Sequence, residues 1–179
     1  MKEPGRRVRI GHPGTGTIGH LALLVFSRAI GVEVDAVPYR GLAPVLNDML
    51  GDHVDLTWAA TFNSAPLIKD QKLKGYVIGA PKRSALVPDI PSAPEVGLPA
   101  LDMPLWHALF APAAISRVRV ETLNAALRKA LAEPAVAKSF AATGVEAFPD
   151  DMLTPEAASA FVKSEVARWS GVVASATQK

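Results

Sequence analysis

The run Gly11-His12-Pro13-Gly14-Thr15-Gly16-Thr17-Ile18-Gly19-His20 contains the residue types that recognise an anion. Glycines let a backbone approach a ligand closely, and threonine hydroxyls donate hydrogen bonds. A helix N-terminus adds free amides inside a region of partial positive charge. Alternating Val8 and Ile10 precede the run and a helical apolar period follows it, so it reads as a loop between a strand and a helix. Gly14, Thr15, Gly16 and Thr17 form the expected seat for a carboxylate or phosphate, with Thr15 or Thr17 as the helix N-cap. A turn and cap with no ligand is the alternative reading of the loop alone. The run lacks the Lys-Ser/Thr pair of a P-loop and the full spacing of a dinucleotide fingerprint.

Two further junctions of the same kind follow. Tyr39-Arg40-Gly41 ends a strand and opens a helix, and Trp58-Ala59-Ala60-Thr61 does so again, with Thr61 as the expected N-cap. Three such junctions converge on one sheet edge, where α/β sheets bind ligands; helix caps without a ligand fit the same pattern equally well. His20, Tyr39, Arg40, Gly41 and Thr61 are therefore expected to surround the loop, and Arg40 reads equally well as a solvated turn residue.

Other chemistry is weakly represented. His12, His20, His53 and His107 show no metal-ligand spacing, and neither a metal nor a cofactor is expected. No Gly-x-Ser-x-Gly elbow occurs, and the carboxylates Asp52, Asp55, Asp150 and Asp151 sit at turns or strand starts. An enzyme using His20 as general base is the alternative to a binding module. A fragment acting through dimerisation is a third reading.

The elements that must position these residues alternate. Strands are expected at 7–12, 32–39, 54–59 and 73–80, and helices at 17–30, 42–50 and 61–69. This order predicts an α/β fold with a parallel or mixed sheet covered by helices. Six prolines between Pro81 and Pro104 suggest an extended connector. Beyond it lie an expected strand at 105–111 and helices at 118–132, 134–143 and from Pro155 onward, the last capped by Thr154. One strand with three helices makes a poor domain, so the remaining strands of that part are expected to come from elsewhere.

Composition bounds the function. The 179 residues are 49% hydrophobic and 20% charged, as expected of a globular chain. Nineteen basic and seventeen acidic residues leave a formal charge of +2 without a basic stripe, so nucleic acid is not an expected partner. No apolar window reaches the length of a bilayer span, and the start of the chain has no signal-peptide pattern. The absence of cysteine excludes disulfides and thiolate chemistry within this sequence.

The run Val37-Pro38-Tyr39-Arg40-Gly41-Leu42-Ala43-Pro44, then Asp48-Met49-Leu50-Gly51 and Val54-Asp55, resembles a stretch of the Bug/TctC family. These are extracytoplasmic solute receptors of tripartite tricarboxylate transporters. The loop ending at His20, Lys82-Arg83-Ser84, Pro88-Asp89-Ile90-Pro91, Glu95-Val96-Gly97, Trp106, Leu109 to Pro112 and Val166 to Trp169 are similar to further family motifs, in the same order. The resemblance implies a periplasmic-binding-protein type II-like fold that closes on a small organic carboxylate. Residues 1–104 would form the family's second, α/β lobe, and 105–179 part of an incomplete other lobe. It also implies a periplasmic location and membrane transporter subunits as partners. The family's signal peptide and N-terminal stretch have no counterpart here, which implies a truncated receptor or a homodimer formed by element exchange. Ala59-Ala60 stand where members commonly carry an acidic residue, which implies a plain carboxylate rather than an amino acid.

Overall fold

The structure, a computed structural model, describes residues 7–176. The strands and helices that frame the loop follow from simple patterns. β1 (Val8–His12) places Val8 and Ile10 on one face, where they form a buried cluster with Leu23. The following helix α1 (Ile18–Ile30) starts at an N-cap, Thr17, and stops at Gly31, which adopts the left-handed conformation that glycine tolerates best. β2 (Val34–Pro38) pairs parallel with β1, and α2 (Leu42–Leu50) ends at Gly51. β3 (Leu56–Thr57) pairs parallel with the other edge of β1, and α3 (Thr61–Lys69) follows.

The sheet order is therefore β2-β1-β3. Its two crossovers run in opposite directions, so right-handed connections require α1 and α2 on opposite faces. Side chains agree with this. Ile10 packs with Leu23 of α1, whereas a Cβ at the next residue, Gly11, would lie 2.6 Å from Val45 of α2. His12 then falls on the α1 face by strand alternation.

β3 is shorter than the expected strand at 54–59, yet its attachment extends beyond the ladder. The Asp55 amide donates to the Arg9 carbonyl at 2.8 Å, and the Arg9 amide donates to the Asp55 carboxylate at 2.8 Å. The Arg9 guanidinium adds bonds of 3.1 and 3.2 Å to the same carboxylate.

Two expectations for the following segment fail. No strand forms at 73–80; Ile78 makes one isolated parallel bridge to Ser92, and Tyr76 is exposed. The partner segment is flanked by Pro91 and Pro94, whose missing amides prevent a longer ladder. Nor is the proline-rich stretch a mere connector. It buries Val87, Ile90, Ala93, Leu101 and Met103, and forms short 3-10 turns at Pro94–Val96 and Pro99–Leu101. Val87 and Ile90 build a second cluster with Ala65 of α3. Proline excluded regular structure here, but the apolar residues between the prolines still required burial.

The chain divides into two compact units. One reaches Leu105 and includes the chain from Val172 onward; the other is Trp106–Gly171. The second unit contains α4 (Arg117–Leu131), α5 (Pro134–Thr143) and most of α6 (Pro155–Ala176). The strand expected at 105–111 does not form, because this unit supplies no neighbouring strand to bond it. None of the residues of Trp106–Gly171 is buried; Trp106 and Phe148 each pack edge-to-face with Phe161, at centroid distances of 5.2 and 5.3 Å. Among the described residues, no helix is long and apolar enough to cross a membrane.

Candidate functional site

All three strands are parallel, so the helices that follow them begin on one edge of the sheet. An order of β2-β1-β3 reverses the direction of its connections between β1 and β3, and the crevice outside the carboxyl ends of those strands is where open α/β sheets take ligands. Two loops flank that position: residues 13–17 after β1 and 58–60 after β3. They are held together closely. The Thr57 hydroxyl donates to the Gly11 carbonyl at 2.8 Å, and a Cβ on Gly19 would meet the Trp58 carbonyl at 3.1 Å and Pro13 Cδ at 2.8 Å.

The loop after β1 is shaped by Gly14 and Gly16, with φ of +133° and +80°, values that disfavour any side chain. Thr17 is the N-cap of α1. Its hydroxyl donates to the Gly14 carbonyl at 2.7 Å and accepts from the His20 amide at 3.4 Å. The Thr17 amide donates to Gly14 at 3.3 Å, and the Gly16 amide donates to His20 Nδ1 at 3.3 Å. Among the described residues, the amides of Gly14, Thr15, Ile18 and Gly19 and the Thr15 hydroxyl make no hydrogen bond. These groups carry the helix-start potential of α1, whose first turn holds no acidic residue.

The other expected site residues divide by role. Gly41 is the N-cap of α2, but its amide donates to the Pro13 carbonyl at 3.2 Å. The Tyr39 amide donates to the His12 carbonyl at 2.9 Å, and its hydroxyl donates to Asp48 at 2.5 Å. That bond to Asp48, then partial burial, raises the Tyr39 pKa and keeps the phenol protonated. Tyr39 and Gly41 thus fasten the loops rather than present free donors. Arg40 is exposed at the start of α2. Thr61 is half-buried but is not the N-cap of α3. Ala60 holds that place, and no side chain caps the first turn of α3, where the Asn63 amide donates to the Ala60 carbonyl at 3.0 Å. The expectation failed because Ala60 has the extended backbone, ψ 135°, that a cap position requires.

His12 was not expected in the site. It is 3% exposed, its Nδ1 is enclosed without a hydrogen-bond partner, and its ring lies 4.6 Å from that of His20, centroid to centroid. The signal available in the sequence was positional, since His12 occupies the core-facing slot after Val8 and Ile10. His20 has its pKa lowered by burial and secondarily by His12. His53 and His107 are exposed, and the described residues contain no cluster of three or more metal-ligating side chains.

Comparison with known proteins agrees with this architecture. The structure superposes on the periplasmic binding protein BugD with a TM-score of 0.85 at 31% identity, over 95% of this chain and 56% of that one. It also superposes on MatC from Rhodopseudomonas palustris with bound malate, with a TM-score of 0.81 at 30% identity, over 93% of this chain and 56% of that one. A protein from Agrobacterium vitis, the UPF0065 protein in the TAR-I ttuE-ttuC' intergenic region, is 33% identical over 176 residues, or 98% of this chain and 51% of its own length. The fold is that of the periplasmic binding proteins, α/β with a parallel sheet. The family model of the tripartite tricarboxylate transporter family receptors matches residues 1–177, and the chain belongs to that family. It spans about half the length of the curated relatives it matches.

Proposed function

We propose that this chain is the carboxylate-gripping portion of a solute receptor, binding without turnover. The observation that carries the reading is the set of amides at Gly14, Thr15, Ile18 and Gly19, free of protein partners at the switch point of the sheet. Donors of this kind replace water around a carboxylate at little reorganisation cost, because the loop is already held by Thr17, Tyr39 and Gly41. The bound malate of MatC supports the same ligand class. Ala59-Ala60 at the neighbouring loop offers no counter-charge for an amino group, which favours a plain carboxylate over an amino acid. A general base at His20 is disfavoured, since its Nδ1 accepts from Gly16 and no carboxylate orients the ring. Service to a tripartite transporter in the periplasm is part of the proposal and rests on family membership.

Calorimetric titration with malate, adipate and an uncharged diol tests the reading. Both acids are expected to bind and the diol is not. Ile18→Pro removes one loop amide at the first helical position, where proline is tolerated. Thr17 before it is already extended, at φ −75° and ψ 161°, as a residue preceding proline must be. That variant is expected to fold and to lose about tenfold in affinity, the worth of one hydrogen bond to a charged group. Equal binding of the diol, or undiminished binding by a folded Ile18→Pro variant, refutes the site.

A further inference from the structure

We propose that carboxylate binding at this loop is linked to uptake of a proton by His20, whose ring lies against that of the enclosed His12. The proposal rests on the carboxylate reading above and concerns how that same site is regulated.

The geometry supplies two observations. His12 is almost wholly enclosed beneath the start of α1, with Nδ1 unpartnered and its ring against that of His20. His20 in turn accepts the Gly16 amide at Nδ1, so its neutral form carries its hydrogen on Nε2. Protonation places a second hydrogen on Nδ1, opposite the Gly16 amide. Donor then faces donor, and the Gly16 amide is released toward the position the other loop amides face.

Among the described residues, no carboxylate contributes to the charge balance of His20. From β1, His12 is the titratable neighbour, and it disfavours the charge on His20. The first turn of α1 has no acidic residue. On the β2–α2 side, Asp48 accepts from Tyr39, and Arg40 is a cation. On β3, Asp55 is paired with Arg9, and α3 opens with the uncharged Thr61-Phe62-Asn63-Ser64. Asp102 follows the 3-10 turn that packs on α1, and it does not contribute to the charge balance of His20. The bound carboxylate is therefore the counter-ion that a charged His20 lacks. One imidazole takes up one proton, so at most one proton accompanies each ligand.

The sign follows directly. Without ligand the His20 pKa is lowered by burial and then by His12, so His20 is neutral at neutral pH; an adjacent carboxylate raises it. Affinity should fall as pH rises through the interval between those two values. Malate titrations at about pH 6 and about pH 8, where both of its carboxyls stay ionised, are expected to show weaker binding at the higher pH, by up to about tenfold for a pKa rise of one unit. Titrations in buffers of different ionisation heat should show proton uptake. His20→Asn, which keeps an acceptor for the Gly16 amide, should bind with the pH dependence removed. If that variant does not fold, the ring resonances of His20 in the native chain decide: a pKa that rises with malate supports the linkage, and one that stays put overturns it. Equal affinity at both pH values, or a slope that survives His20→Asn, overturns the linkage and leaves the carboxylate site standing. No binding of malate or adipate at either pH overturns both.

Discussion

The Gly41 amide donates to the Pro13 carbonyl at 3.2 Å, so the loop leaving β2 is fastened to the loop leaving β1. That bond needs the backbone of Gly41 at φ 102° and ψ 174°, a region closed to residues with a side chain. A Cβ there would meet nothing within 4 Å, so the cost of Gly41→Ala is one of backbone strain. We predict a loss of about 1–3 kcal/mol in unfolding free energy by urea titration, together with weaker malate binding. Unchanged stability would show that the two loops are not coupled through this residue.

Thr17 both caps α1 and holds the Gly14 turn, through bonds of 3.4 and 2.7 Å. Thr17→Val keeps the shape and removes both. Its expected cost is about 1 kcal/mol, typical of a lost N-cap, measured as a lower denaturation midpoint. A larger relative effect should appear in carboxylate affinity, since the loop amides lose their common anchor.

Glu95 governs acid stability of the proline-rich segment. Its carboxylate accepts from the Arg83 guanidinium, and from the amide and hydroxyl of Ser92 at 2.7 and 2.9 Å. Arg83 first, then the two Ser92 bonds, lower its pKa from the ordinary 4.5 to about 2. A carboxyl depressed in the folded state stabilises the fold above its unfolded pKa, and that contribution disappears as pH falls through the folded value. The melting temperature of the native chain should therefore drop between about pH 4.5 and about pH 2, and Glu95→Gln should flatten that part of the curve while lowering stability at neutral pH. Parallel curves for the two proteins would count against the assignment.

Within Trp106–Gly171, one carboxylate oxygen of Glu165 accepts both the Trp106 and the Trp169 indole N–H, at 3.1 and 3.2 Å. Burial opposes its ionisation, but the two indoles and Arg168 outweigh that and lower its pKa. Glu165→Leu leaves two half-buried donors unpaired, at about 1–3 kcal/mol for a lost buried partner. Tryptophan fluorescence should report an earlier unfolding transition and a red-shifted native spectrum. An unshifted spectrum would mean that water already satisfies these indoles.

The local rules of chain geometry were enough to find most elements. Apolar spacing, Thr17 and the stops at Gly31, Gly51 and Gly144 located α1, α2 and α5, and Thr154-Pro155 located the start of α6. Those signals act within a few residues, so they are written in the sequence itself. The segments at 73–80 and 105–111 have strand composition without forming strands, because a strand exists only where a neighbour offers its amides and carbonyls. The proline-rich stretch was misread for a related reason: proline forbids regular structure, but burial of Val87, Ile90 and Leu101 depends on what lies opposite them.

The same division holds at the candidate site. Glycine and threonine spacing in residues 11–20 marked a loop suited to an anion, since free amides at a helix start follow from local conformation. Which donors remain available was settled by the folded contacts, some local and some between strands and loops distant in sequence. Gly16, Gly41 and Tyr39 give their hydrogens to His20, Pro13 and Asp48, while Gly14, Thr15, Ile18 and Gly19 keep theirs. The His12–His20 contact likewise joins a strand to the helix that packs on it, and sequence spacing carries no record of which ring meets which.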